Sequence, residues 1–167
     1  MSNHSWDVSL QQAIRRANKP RPRIAVVGIG HELRGDDAAG IMIARGLQRV
    51  SSPTLIVVDA GPAPENFTGL LRALAPDVVL LVDAAQMQEP PGTVRLLAID
   101  GAQPDSASTH TLSLHLLANF LRATLDGDIL LLGIQPEQDS FGTGLSSAVQ
   151  QSVDHIVTVL PDIAAVD

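Results

Sequence analysis

Three short apolar runs, each leading to a carboxylate, constrain this chain more than any other feature. IAVV at Ile24–Val27 leads into GIGHELRGDDAAG, Leu55–Val58 ends on Asp59, and Val78–Val82 ends on Asp83. Runs without in–out alternation describe strands buried on both sides, which belong to mostly parallel sheets covered by helices. The segments between them carry helical periodicity. Asp37–Val50 places Ile41, Ile43, Ala44 and Leu47 on one face, and Glu65–Leu74 forms a second helix. After PPG, Thr93–Leu97 reads as a strand. Thr111–Thr124 is a helix with Leu112, Leu116, Phe120 and Leu121 in phase, Ile129–Ile134 a strand, and Gly144–Leu160 the closing helix. This alternation predicts a three-layer α/β/α sandwich with a mostly parallel sheet of about five strands.

The domain so defined runs from 24 to 167. Residues 1–23 form an extension whose stretch SWDVSLQQAIRRAN has apolar residues at helical spacing and is ended by the prolines of KPRPR. The formal net charge is −7, and five of the eleven bases (Arg15, Arg16, Lys19, Arg21 and Arg23) precede Ile24. The remaining body is therefore strongly acidic. Such a surface repels a nucleic-acid backbone and favours cations or a basic peptide segment. There is no cysteine, which removes disulfides, thiolate metal sites and thiol nucleophiles. No apolar run reaches the ~20 residues that span a bilayer, and Arg15-Arg16 is not followed by the apolar region of an export signal. The expectation is a cytoplasmic protein with no membrane partner.

In folds of this kind, ligands lie beyond the carboxyl ends of the strands, near the switch in strand order. Asp36, Asp37, Asp59 and Asp83 all fall there. The loop after the first strand admits two readings. As a phosphate cradle it offers Gly28 and Gly30, but the next glycine, Gly35, is two positions late for the dinucleotide pattern, and two acids would face the pyrophosphate. As a metal site it offers carboxylates. If the first and third strands are neighbours, ~4.8 Å apart, Asp37 and Asp83 reach one point, and an imidazole biases such a site towards zinc or nickel. Of His4, His31, His110, His115 and His155, His110 lies best, in a polar loop at the mouth of a helix. Asp36 or Asp37 can equally cap the following helix, Asp59 and Asp83 can bind turn amides, and a loop histidine can simply be solvated.

GIGHELRGDDAAG, VVDAGPAPEN, VVLLVDA, STH before an apolar helix, and LLLGIQP occur here in one order. Together they resemble the hydrogenase maturation endopeptidases, particularly the type that processes large subunits of formate-hydrogenlyase-like hydrogenases, over nearly all of Ile24–Leu160. The resemblance implies a twisted sheet of about five strands between helical layers. It also implies removal of a short C-terminal peptide from the precursor of a nickel–iron hydrogenase large subunit after nickel insertion. On these positions it makes Asp37, Asp83 and His110 the catalytic and metal-coordinating set, with nickel supplied by the substrate and no organic cofactor. Asp59 matches a further acid at the cleft. His31 and Ala38 depart from the usual asparagine and glycine, and His31 is either an extra ligand or a replacement hydrogen-bond donor. The alternative is a non-catalytic protein that holds the precursor or a nucleotide in the same cleft. With Asp37 as ligand, Asp36 is left to cap the helix or orient the loop, so Asp36→Asn is expected to cost about 1 kcal/mol or less.

Overall fold

The computed structural model describes residues 5–98 and 109–165. Helix α1 (Trp6–Arg16) precedes strand β1 (Ile24–Ile29), helix α2 (Ala39–Leu47), strand β2 (Leu55–Gly61) and helix α3 (Thr68–Leu74). Strand β3 (Val78–Ala84), strand β4 (Val94–Ala98), helix α4 (Thr109–Thr124), strand β5 (Asp128–Ile134) and helix α5 (Ser147–Ala164) complete the order. The sheet runs β2-β1-β3-β5-β4. The β1–β2, β1–β3 and β3–β5 pairs are parallel, and β4 adds to β5 antiparallel at the edge. This is the expected three-layer α/β/α architecture.

The two faces of the sheet are covered separately. On one, Ile24, Val26, Val78, Leu80, Val82, Leu132 and Ile134 meet α1, α2 and α5 through Leu10, Ile14, Ile43, Leu47, Val153 and Ile156. On the other, Ala25, Val27, Ile29, Val79, Leu81 and Ile129 meet α3 and α4 through Leu71, Leu114, Leu117 and Leu121. Trp6, Leu10, Ala13 and Ile14 of α1 are buried, and the Trp6 ring meets His155 of α5 edge-on. The chain leaving α1 is tied to the sheet through Asp77, whose carboxylate accepts the Arg23 backbone N–H at 2.7 Å and pairs with Lys19. No helix among the described residues is long and apolar enough to cross a membrane.

Five boundaries differ from the sequence expectation, at three strand ends and two helix starts. The strands run on to Ile29, Gly61 and Ala84, so Asp59 and Asp83 belong to the last ladder positions rather than to loops. The helix expected from Asp37 begins as a 3-10 turn over Gly35–Ala38 and becomes α-helical at Ala39. The closing helix does not start at Gly144, which is left-handed at φ +69°, but at Ser147.

Candidate active site

The strand order places the switch between β1 and β3. The chain leaves β1 for α2 on one face, and the connection from β2 returns through α3 on the other, so the loops diverge above these two strands. Glycines let α2 approach that point closely. A Cβ on Gly40 would lie 2.1 Å from the Val82 carbonyl oxygen and 2.5 Å from that of Ile29, and a Cβ on Gly28 would lie 2.3 Å from the Gly40 oxygen. The first turn of α2 therefore rests directly on the ends of β1 and β3. Gly30, at φ +142°, has the Asp37 carbonyl oxygen 1.8 Å from where a side chain would begin. Gly28 and Gly30 face this chain's own backbone and Gly35 the Gln138 side chain, so the glycines of GIGHELRG are accounted for without a phosphate.

The two adjacent aspartates divide their work. Asp36 is fully buried and does not cap its own helix. One oxygen accepts the Ser146 backbone N–H at 2.7 Å. The other accepts the Glu137 and Gln138 N–H groups at 2.8 and 3.1 Å and the Ser146 hydroxyl at 2.8 Å. The Asp36 N–H in turn donates to the Gln138 carbonyl. Of the two roles left open, orienting a loop is the one realised, and the loop is the distant one between β5 and α5. Burial opposes ionisation of Asp36, but the donors from Ser146, Glu137 and Gln138 outweigh it and hold the carboxyl below its ordinary value. The small cost expected for Asp36→Asn is thereby corrected. Four donors converge on this carboxylate, and an amide cannot accept them all.

Asp37 is partly exposed, and its Oδ2 accepts the His31 backbone N–H at 3.0 Å. Asp83 is fully buried at the end of β3. Its strand position follows Val82, which pairs with Gly28, so it stands level with Ile29 and on the α4 side of the sheet. Asp37 and Asp83 are thus delivered to the same end of adjacent strands, as the sequence implied. His110 lies in the first turn of α4, but its side chain falls outside the described residues. Among the described residues no three histidine or acidic side chains gather closely enough to enclose an ion.

The other candidates have structural tasks. The Asp59 carboxylate binds Arg45 of α2 at 2.9 Å, and the same guanidinium binds Glu32 at 2.9 Å. Hydrogen bonds to Asp59 and then Glu32 raise the Arg45 pKa further. His31 accepts the Leu33 N–H on Nδ1 at 3.2 Å, which makes it an acceptor in its own turn. Gln135, just past β5 and buried, accepts the Met87 N–H at 2.7 Å and donates to Gln86 at 2.9 Å, fixing the chain that leaves β3. Sequence reading missed Arg45, Gln135 and Ser146. The only local signal was a buried-strand end followed by GIQPEQ, since the partners of Gln135 and Ser146 lie far along the chain and those of Arg45 are brought to it only by the fold.

An α/β domain that sets carboxylates at the switch point of a mostly parallel sheet, with no cysteine, has acid–base hydrolytic chemistry available. Comparison with known proteins narrows that class. The family model for the HycI hydrogenase maturation protease matches residues 41–162. A Methanocaldococcus jannaschii protein assigned to the hydrogenase maturation proteases is 34% identical over 149 residues, covering 84% of this chain and 88% of that one. The hydrogenase 3 maturation protease of Escherichia coli is 31% identical over 129 residues, covering 77% and 82%. The crystal structure of a [NiFe] hydrogenase maturation protease, HycI, from Thermococcus kodakarensis superposes with a TM-score of 0.84 at 26% identity, covering 93% of this chain and 98% of that one. The chain belongs to the hydrogenase maturation protease family, and it is a peptidase.

Proposed function

We propose that this peptidase removes the C-terminal peptide of a nickel–iron hydrogenase large-subunit precursor, and that it acts once the precursor carries nickel. The observation that carries the reading is the delivery of Asp37 and Asp83 to one end of adjacent strands β1 and β3, at the switch point. His110, at the start of α4, completes the proposed set. Two carboxylates and an imidazole leave coordination positions open, which suits an ion that belongs to the substrate.

The ion that arrives with the precursor lowers the charge cost of attack on the scissile carbonyl. A carboxylate of the Asp37–Asp83 pair takes the proton of the attacking water and returns it to the leaving amine as the C–N bond breaks. The His31 backbone N–H holds Asp37 in place for this work. Asp36, one residue away, has both oxygens committed elsewhere and takes no part.

The test is cleavage of nickel-loaded and nickel-free precursor, followed by mass spectrometry. The released peptide is expected from the loaded form alone. Equal release from both forms removes the metal gate, and no release from either removes the proteolytic reading.

A further inference from the structure

A groove of about 550 Å³ opens between α3 and α4 on the face of the sheet that bears Asp83. Its described lining includes Ile29 at the floor, Pro64 and Thr68 on the α3 side, and Leu116, Leu117 and Phe120 on the α4 side. Leu116 is 59% exposed and Phe120 44%, one helical turn apart, so this apolar wall faces water without cover. Glu65 is the only charged residue in the described lining. At its inner end the groove reaches Ile29, the last residue of β1, at the same end of the sheet as the acids. Ile29 follows Gly28 as Asp83 follows Val82, its ladder partner, and the next residue, Gly30, lies against the Asp37 backbone.

We propose that this groove is the docking subsite for an apolar stretch of the precursor flanking its scissile bond. The inference rests on the proteolytic reading above. Its volume lies within the range that encloses a small organic molecule, which is room for more than one aliphatic side chain. An extended segment crossing the strand ends that carry Asp37 and Asp83 has the groove beside it, since Ile29 at the end of β1 lines the groove. The single acid at the lip and the negative net charge fit a segment whose neighbouring residues are neutral or basic, and repel an acidic one. Specificity then comes from apolar burial in the groove, while the carboxylates supply the chemistry.

Two variants test this without touching the acids. Leu116→Glu puts a charge on an exposed wall, and Thr68→Trp fills the space. Val50→Glu, on an exposed position in the 3-10 turn that follows α2, is the control. Binding of a fluorescein-labelled peptide carrying the precursor's C-terminal region is measured by anisotropy, and cleavage of loaded precursor is followed in parallel. Losing one buried apolar contact is expected to weaken peptide binding at least about tenfold and to raise KM likewise with kcat kept. Melting temperatures and the control should stay unchanged. Peptide binding and KM equal to wild type in both groove variants overturn the subsite, even if cleavage proceeds. Unimpaired peptide binding with a dimer in sedimentation that Leu116→Glu dissolves assigns the groove to a second copy instead. Wild-type protein that binds the peptide through the groove yet never cuts precursor defeats the proteolytic reading alone.

Discussion

The Ser146 backbone N–H and hydroxyl both donate to the Asp36 carboxylate, at 2.7 and 2.8 Å, across 110 residues of sequence. Together with Glu137 and Gln138 they fasten the β5–α5 loop to the turn that carries Asp37. Asp36→Asn replaces one acceptor oxygen by a donor that must face an N–H. It should cost about 2 kcal/mol, and Asp36→Ala about 3 kcal/mol or more, because buried donors are left unmade. Chemical denaturation checks both values. A cost below 0.5 kcal/mol for Asp36→Asn, on the ordinary scale of surface substitutions, would show that the four donors find water instead.

Asp36 and Asp77 also set the response to acid. For both, burial works against the charge, and hydrogen bonds overcome it: from Ser146 and its neighbours for Asp36, from the Arg23 backbone and Lys19 for Asp77. Their folded pKa values therefore lie below the unfolded value of about 3.9. Stability from a depressed carboxyl is present above the unfolded pKa and is lost as pH falls through the folded one. Unfolding free energy should be level from about pH 7 to 5 and fall below about pH 4. Asp36→Asn should shallow that fall. An unchanged acid limb in the variant would assign the loss to other groups.

Much of this was legible before any coordinates. Unbroken runs such as Val78–Val82 can only be strands buried on both faces, and each led the eye to a strand end with an acid. The Asp36 clamp was not legible, because three of its four donors are backbone groups more than a hundred residues away and any residue but proline supplies a backbone N–H. Arg45 was hidden for a related reason. Nothing in the sequence says that an arginine on α2 will span Glu32 and Asp59, since that needs the β1–β2 register. The GxG pattern, already a poor phosphate cradle because Gly35 comes late, did not reveal that Gly28 faces the Gly40 backbone and Gly40 the ends of β1 and β3.

That contact yields its own prediction. Gly40→Ala places a Cβ 2.1 Å from the Val82 oxygen, where backbone on both sides leaves nothing soft to move. Helix α2 must lift from the sheet, carrying Asp37 away from Asp83. Overpacking of this kind costs about 1–3 kcal/mol, and cleavage should fall far more than stability. Gly69→Ala, with open space around its Cβ position, should leave both unchanged. If Gly40→Ala cleaves at the wild-type rate, the close approach does not position the acids.

The proposed ligand set predicts binding of added cadmium or zinc, measured by calorimetry on the purified protein. Asp37→Asn keeps the side chain's size but removes the charge a cation needs, and Asp83→Asn does the same. Each should abolish both metal binding and cleavage, with the fold intact by circular dichroism. His110→Ala should weaken binding as well. Metal held equally well by the Asp37→Asn and Asp83→Asn variants would place the ion elsewhere, with His31 and His115 the next residues to examine.

His31 offers the last test, because its backbone and its ring do separate things. The backbone N–H donates to Asp37, and any residue other than proline supplies that bond. The ring accepts the Leu33 N–H two residues on, through Nδ1. An asparagine side chain makes this same i to i+2 contact in an Asx turn. The ring thus fills a turn-acceptor role that an asparagine side chain can also fill. His31→Asn should keep cleavage within about twofold and stability within about 0.5 kcal/mol, the range of substitutions that preserve local bonding. His31→Ala loses the turn contact, and should cost about 0.5–1.5 kcal/mol, the net worth of one hydrogen bond. It should also lower kcat more than it raises KM, since a looser turn misplaces Asp37 without altering a substrate contact. An inactive His31→Asn beside an active His31→Ala would instead mean that the imidazole is not acting as a turn acceptor, and that the ring itself reaches the reacting centre.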